Sequence, residues 1–177
     1  EVRDPYTSRH QRRVADLSVL LGQELALDAF ELEGLHIAAS VHDIGKIRIP
    51  AEILTKPGRL DPAEFELIKL HAVASFDILK NIQFPWPIAN IVLQHHERLD
   101  GSGYPHGLKN TEILPEAMII AVADVVESMA TARPYRKSLG IQAAIEEINR
   151  GRGTKFSADV VDAFIRIHEG QRWSPES

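Results

Sequence analysis

Apolar side chains recur at helical spacing from the start of the chain. Val14, Leu17, Leu20, Leu21 and Leu25 line one face of a 3.6-residue period and predict an amphipathic helix from about 5 to 27. A second helix is predicted from about 31 to 43, with Leu32, Leu35, Ala39 and Val41 facing inward and Gly45 just beyond its end. The stretch KPGRLDPAEFELIKLH then supplies a turn followed by a strong helix start. Asp61 is placed to cap, Pro62 takes the first helical position and Glu64 closes a capping box, so this helix should run to about Asn81. Pro85 and Pro87 open another helix that carries Ile88, Ile91 and Val92 up to a pair of histidines, and Pro115 opens one that reaches Ala130. Ser138 and Ser157 are expected to cap two more. No strand alternation, repeat or low-complexity segment interrupts this pattern, which predicts an all-α bundle of about seven helices joined by short loops.

Composition narrows the chemistry. The chain has 177 residues, 44% of them apolar, enough for one domain with its own core. It contains no cysteine, which excludes disulfides and thiolate zinc sites and leaves nitrogen and oxygen as metal donors. A net charge of −5 argues against the basic stripe that DNA or RNA binding requires. No run of about 18 apolar residues and no signal peptide is present, so no membrane contact is expected of this segment. The expectation is a soluble, cytoplasmic protein. Because the chain opens on Glu1 and enters a helical pattern almost at once, it is expected to be a single domain spanning 1–177, cut from a longer protein with a regulatory domain ahead of it.

Five histidines and two aspartates stand among apolar neighbours: His10, the pair His42 and Asp43, His71, the pair His95 and His96, and Asp124. A lone histidine on an apolar face is usually a satisfied core residue. Seven such groups buried together would cost several kcal/mol each without a compensating charge. Divalent cations supply that charge, since neutral imidazole and ionised carboxylate are their preferred donors. Seven ligands suit two ions better than one, with Asp43 as the natural bridge. Adjacent helical residues point about 100° apart, so His42 with Asp43, and His95 with His96, converge on a site only where their helices stop.

HDIGK at 42–46, HHE at 95–97, DGSGYP at 100–105 and AVADVVE at 121–127, with DPYTSRHQRRV near the start, RPYR at 133–136 and GTKF at 153–156, together resemble the HD-GYP branch of the HD-domain metal-dependent phosphohydrolases. The resemblance runs along nearly the whole chain. It implies a five-helix HD core with additional C-terminal helices, and hydrolysis of cyclic di-GMP to pGpG and on to GMP through a water held between two metal ions. Cyclic GMP-AMP is the alternative substrate, and a non-catalytic docking or sensing module the alternative role. By position the resemblance assigns His10, His42, Asp43 and Asp124 to one metal and Asp43, His71, His95 and His96 to the other. Iron or manganese is favoured for both sites, and nickel, cobalt and zinc are compatible. Lys46 becomes the proton donor or phosphate contact, Gly103 and Tyr104 part of the substrate loop, and Arg133 and Arg136 phosphate binders. Some members use a glutamate one turn before the first histidine for a third metal. Tyr6 stands there in this chain, so two metals are expected. A diguanylate cyclase is the kind of signalling partner the family implies. His36, His106 and His168 are left as structural or surface residues, and Glu127 as a second-layer group or a contact to a guanine edge. The SRHQRR cluster reads as a solvated face.

Overall fold

The computed structural model describes residues 5–56, 58–132 and 138–175, with backbone alone at 5–8. Its helices are α1 (Pro5–Glu24), α2 (Ala29–Val41), α3 (Ala51–Leu54), α4 (Pro62–Leu79), α5 (Ile88–Gln94), α6 (Pro115–Ala130), α7 (Ile141–Arg150) and α8 (Ala158–Glu169), with short 3-10 turns at Ile44–Arg48 and Asn110–Glu112. No strand occurs among the described residues, only two isolated bridges. The all-α expectation therefore holds.

Local signals set most helix starts. In α4 the Asp61 side chain accepts from the Glu64 amide and the Glu64 side chain accepts from the Asp61 amide, both at 2.8 Å, with Pro62 at the first helical position. The same box starts α2, between Asp28 and Glu31 at 2.8 Å, which moves its first turn ahead of the predicted residue 31.

Helix α1 stops before its apolar period does. Ala26 turns left-handed at φ 60°, and the Leu27 amide reaches back to the Gly22 carbonyl while the Ala26 amide reaches the Gln23 carbonyl. This is a Schellman reversal built on alanine, so no glycine marks it. Ser138 does not cap α7. Gly140 occupies that position at φ 87°, and the Ser138 hydroxyl accepts its amide at 2.9 Å while donating to the Ala130 carbonyl at 2.6 Å. Ser157 does sit at the start of α8, but its side chain makes no capping bond.

Helix α6 is buried on nearly every side, from Ala117 through Ile120, Val122 and Val126 to Ala130. Helices α1, α5, α7 and α8 pack around it. Alanines at the crossings, Ala38, Ala39, Ala72 and Ala123 among them, are fully buried and let helix axes come close. That closeness brings the ends of α2 and α5 and the middles of α1, α4 and α6 to one point. Among the described residues no helix is long and apolar enough to cross a membrane.

Candidate metal centre

His42 and Asp43 follow the last residue of α2 directly, and His95 and His96 follow the last of α5. His71 projects from the middle of α4, His10 from α1 and Asp124 from α6. All seven side chains meet in one pocket. His10, His42, His71 and His95 are buried to 2% exposure or less and Asp43 to 3%.

The rings are aimed by what their second nitrogens do. Nδ1 of His42 donates to the Ala39 carbonyl at 2.7 Å, Nδ1 of His71 to the Ile68 carbonyl at 2.7 Å and Nδ1 of His95 to the Val92 carbonyl at 2.5 Å. Each bond spends the ring proton three residues back and leaves the Nε2 lone pair facing the pocket. Nε2 of His71 then lies 3.4 Å from that of His95 and 3.1 Å from that of His96. Nε2 of His42 is buried with no hydrogen-bond partner among the described residues, and Nε2 of His10 faces the Asp124 carboxylate. Lone pairs facing one another inside a protein are unfavourable without a positive charge between them.

The carboxylates complete the arrangement. Asp43 Oδ1 is 3.3 Å from His71 Nε2, whereas Oδ2 is 3.4 Å from His42 Nε2 and 3.8 Å from His10 Nε2. One oxygen therefore faces each half of the pocket, as a bridge requires. Asp124 Oδ1 lies 3.1 Å from His10 Nε2. Three sets of donor atoms each fall within 4.8 Å of one another: His10, His42 and Asp124; His42, Asp43 and His95; and His71, His95 and His96. The donor chemistry, neutral nitrogen with anionic oxygen, suits divalent first-row cations.

Protonation agrees with that. Burial, reinforced by neighbouring histidines, lowers His95 to about 3 and holds His96 well below the usual imidazole range. Burial also lowers His71. Burial opposes ionisation of Asp43 and Asp124, but Lys46 and the histidines around the former, and His10 beside the latter, hold both far below the usual carboxylate range. His10 is the exception. Burial pulls it down, yet its contacts with Asp124 and Glu127 raise it to about 9. A proton there does, between carboxylates, what a metal cation would do.

Glu127 does not reach toward a substrate edge. It is fully buried, bonded to His10 Nδ1 and gripped by Arg13, whose Nε donates to Oε1 at 2.7 Å. It orients His10 as backbone carbonyls orient the other rings. Arg13 is thus an exception to the solvated reading of SRHQRR. His36 and His106 are exposed and His168 is half-buried, as expected. Lys46 Nζ donates to Asp43 Oδ2 at 2.5 Å and keeps its side chain 25% exposed, open to the pocket mouth.

Gly45 serves a close approach rather than a helix stop. A Cβ on it would lie 2.1 Å from the His71 carbonyl oxygen and 2.5 Å from the Ser75 nitrogen. Its amide donates to the Ser75 hydroxyl at 2.8 Å, and that hydroxyl donates to the His42 carbonyl at 3.1 Å. Ser75, one turn beyond His71 on the same face, thereby locks the α2 terminus to α4. In DGSGYP, Gly103 lies against the backbone of His96, Glu97 and Arg98. The buried Glu97 carboxylate accepts from the amides of His106 at 2.7 Å and Leu108 at 3.0 Å, tying the loop to His95 and His96. Tyr104 stacks on His96 with ring centroids 4.6 Å apart. Neither Ser75 nor Glu97 was assigned from sequence. Arg133 and Arg136 lie outside the described residues, as does the side chain of Tyr6.

These features define an all-helical domain built around a buried imidazole and carboxylate centre able to hold divalent metal ions. A family model described as "HD domain" matches residues 1–160. The chain belongs to the HD-domain family, and the resemblance to its HD-GYP branch holds. It is similar to a cyclic di-GMP phosphodiesterase of Thermotoga maritima, with 43% identity over 96% of this chain and 46% of that protein. It is also similar to the 3'3'-cGAMP-specific phosphodiesterase 1 of Vibrio cholerae, with 36% identity over 94% of this chain and 39% of that protein. The chain spans less than half the length of these two relatives. Among solved structures it shares its fold with an HDG"Y"P protein from Bdellovibrio bacteriovorus, at a TM-score of 0.76 and 22% identity over 92% of this chain and 52% of that one.

Proposed function

We propose that this domain is a cyclic dinucleotide phosphodiesterase that opens cyclic di-GMP to linear pGpG and carries it on to GMP. The observation that carries the reading is the convergence of three Nε2 atoms, those of His42, His71 and His95, whose rings spend their proton on a backbone carbonyl, around an aspartate whose two oxygens face opposite halves of one pocket. His10, His42, Asp43 and Asp124 would hold one divalent ion, and Asp43, His71, His95 and His96 the other, with iron or manganese favoured. Two such ions, when bound, supply Lewis acidity toward phosphodiester oxygens and a water of lowered pKa.

The chain's own groups do the rest. Asp43 keeps the two halves in register and holds Lys46 over the pocket. From there Nζ–H donates to the departing 3′ oxygen, directly or through water. Tyr104 and the backbone at Gly103 form the wall along which the substrate lies, and Arg133 and Arg136 keep the phosphate-binding role expected of them. Their planar donor forks suit that anion. A cytoplasmic location and a diguanylate cyclase partner belong to the same reading.

Cyclic di-GMP is preferred to cyclic GMP-AMP because the relative named for it is the more similar of the two, at 43% against 36% identity. The complete ligand set and the intact GYP tyrosine speak against a purely docking role. The test is incubation of metal-loaded protein with each dinucleotide and chromatography of the products. Linear pGpG from cyclic di-GMP is expected, abolished in His42→Ala and Asp43→Ala with helical circular dichroism retained. Absence of linear product with every metal tried would overturn the reading, and faster turnover of the mixed dinucleotide would transfer it to that substrate.

A further inference from the structure

Beside the metal centre, and sharing His96 with it, lies a second cavity of ≈ 310 Å³. Its chemistry is unlike that of the rest of this acidic chain. Lys69, Arg98 and Lys155 line it, with Phe65, Tyr104 and Phe156 between them. Its single carboxylate, Glu147, is already paired with Arg150 at 2.7 Å.

The three cations are held in place by different means. The Arg98 guanidinium lies 5.0 Å over the Phe156 ring, and its Nη1 donates to the carbonyls of Glu97 and His95. No carboxylate among the described residues pairs with it, and its Nε and Nη2 have no protein partner there. Lys69 stands 5.0 Å over Phe65 and 5.7 Å over Tyr104, steadied by the exposed Glu66. Lys155 belongs to the GTKF turn, and its own carbonyl accepts the Leu99 amide at 3.1 Å. That bond fixes the turn to the segment between HHE and GYP, and the Lys155 side chain has no ion-pair partner among the described residues.

Arg98, a partly buried positive charge with no carboxylate in ion-pair contact among the described residues, calls for an anion, and its guanidinium with two free donor groups is shaped for a phosphate, while Lys69 and the exposed Lys155 add positive charge at the rim. His96 carries the argument to the substrate. Its Nε2 faces His71 at 3.1 Å in the metal centre, and its ring stacks on Tyr104 in the cavity wall. The two sites are thus one aromatic ring apart. A cyclic dinucleotide has two phosphates, of which only one is cleaved in a turnover.

We propose that the Lys69, Arg98 and Lys155 cavity is a second phosphoryl subsite, which holds the phosphate that is not being cleaved and so selects dinucleotides over simple phosphodiesters. This rests on the cyclic dinucleotide reading above.

The test uses metal-loaded protein and two substrates: cyclic di-GMP, and bis(4-nitrophenyl) phosphate, which has one phosphate and cannot span both sites. In the Lys69→Ala, Lys155→Ala double variant, both changes lying on partly or fully exposed side chains, KM for cyclic di-GMP should rise tenfold or more with kcat changed far less. The loss in kcat/KM on the nitrophenyl ester should be at least tenfold smaller, and Lys155→Arg should restore much of the dinucleotide affinity. An unchanged KM for cyclic di-GMP, or equal losses on both substrates, would overturn the subsite while leaving the phosphodiesterase reading standing. Wild-type protein that cleaves the nitrophenyl ester but no cyclic dinucleotide would remove that reading, and the subsite with it.

Discussion

Placing a methyl group on Gly45 probes how tightly the metal centre depends on backbone contact between the α2 terminus and α4. In Gly45→Ala the new Cβ would sit 2.1 Å from the His71 carbonyl oxygen, 2.5 Å from the Ser75 nitrogen and 2.7 Å from the Ser75 hydroxyl. Two of the three obstacles are helix backbone and cannot rotate aside. The 3-10 turn must therefore retreat by about 1 Å, the scale of misplacement at which catalysis can fall about 100-fold. Overpacking of this kind costs about 1–3 kcal/mol, and each kcal/mol lowers the melting temperature of a domain this size by about 2–4 °C. The retreat also pulls Asp43 from His71, whose Oδ1 and Nε2 are 3.3 Å apart. The expected result is a melting temperature lowered by several degrees, substoichiometric metal by elemental analysis, and turnover of cyclic di-GMP down by about 100-fold. A Gly45→Ala protein that melts, binds metal and turns over like the parent would refute the close-contact argument. One that is destabilised but fully active would confine the contact to stability.

Three further outcomes follow from the geometry. Glu127→Gln should weaken metal binding about 10- to 100-fold, because His10 loses its anionic partner and Arg13 its counter-charge; a metal titration with unchanged affinity would show that His10 needs no orienting carboxylate. Ala26→Gly, at an exposed residue with φ 60°, should raise stability by about 0.5–1 kcal/mol, since the left-handed strain on alanine exceeds the added chain entropy of glycine; a lower melting temperature would contradict it. Metal-free protein should lose stability as pH falls below about 6.5, because His71, His95 and His96 stay neutral when folded, His95 down to about 3, while the unfolded chain takes up protons. His10, raised to about 9, acts in the opposite sense: its contribution is complete below about 6.5 and fades as pH rises through 9. Melting curves of chelator-treated protein from pH 5 to 7.5 check the acid limb, and a flat profile there would count against neutral buried imidazoles.

What the chain shows along its length and what it hides divide by range of interaction. The start of α4 was legible because Asp61, Pro62 and Glu64 act on one another within four residues. The end of α1 was not, since apolar period carries on through Leu25 and the reversal rests on an alanine without the usual glycine mark. The seven candidate ligands stood out because imidazoles and carboxylates on apolar faces are costly wherever they meet. The groups that aim them were harder to see. Ser75 and Glu97 act on backbone amides and carbonyls brought close only by folding, and Gly45 owes its identity to α4, thirty residues away. Glu127 stood one turn from Asp124, yet its partner His10 is 117 positions distant. Arg98 and Lys155 had no mark in sequence beyond lying in HHER and GTKF.

The two helix ends that deliver His42 and His95 have an electrical consequence. The aligned peptide dipoles of α2 and of α5 sum to a negative pole there, equivalent to about half an elementary charge per helix, whereas Asp43, Asp124 and Glu127 are offset by Lys46, protonated His10 and Arg13. The bare protein thus presents an electronegative well to solvent, attractive to cations and repellent to a phosphodiester. Loading must therefore be ordered, metal before nucleotide. Equilibrium dialysis should find cyclic di-GMP bound at least tenfold more weakly by chelator-treated protein than by loaded protein, and equal affinities would mean that the helix poles do not govern entry.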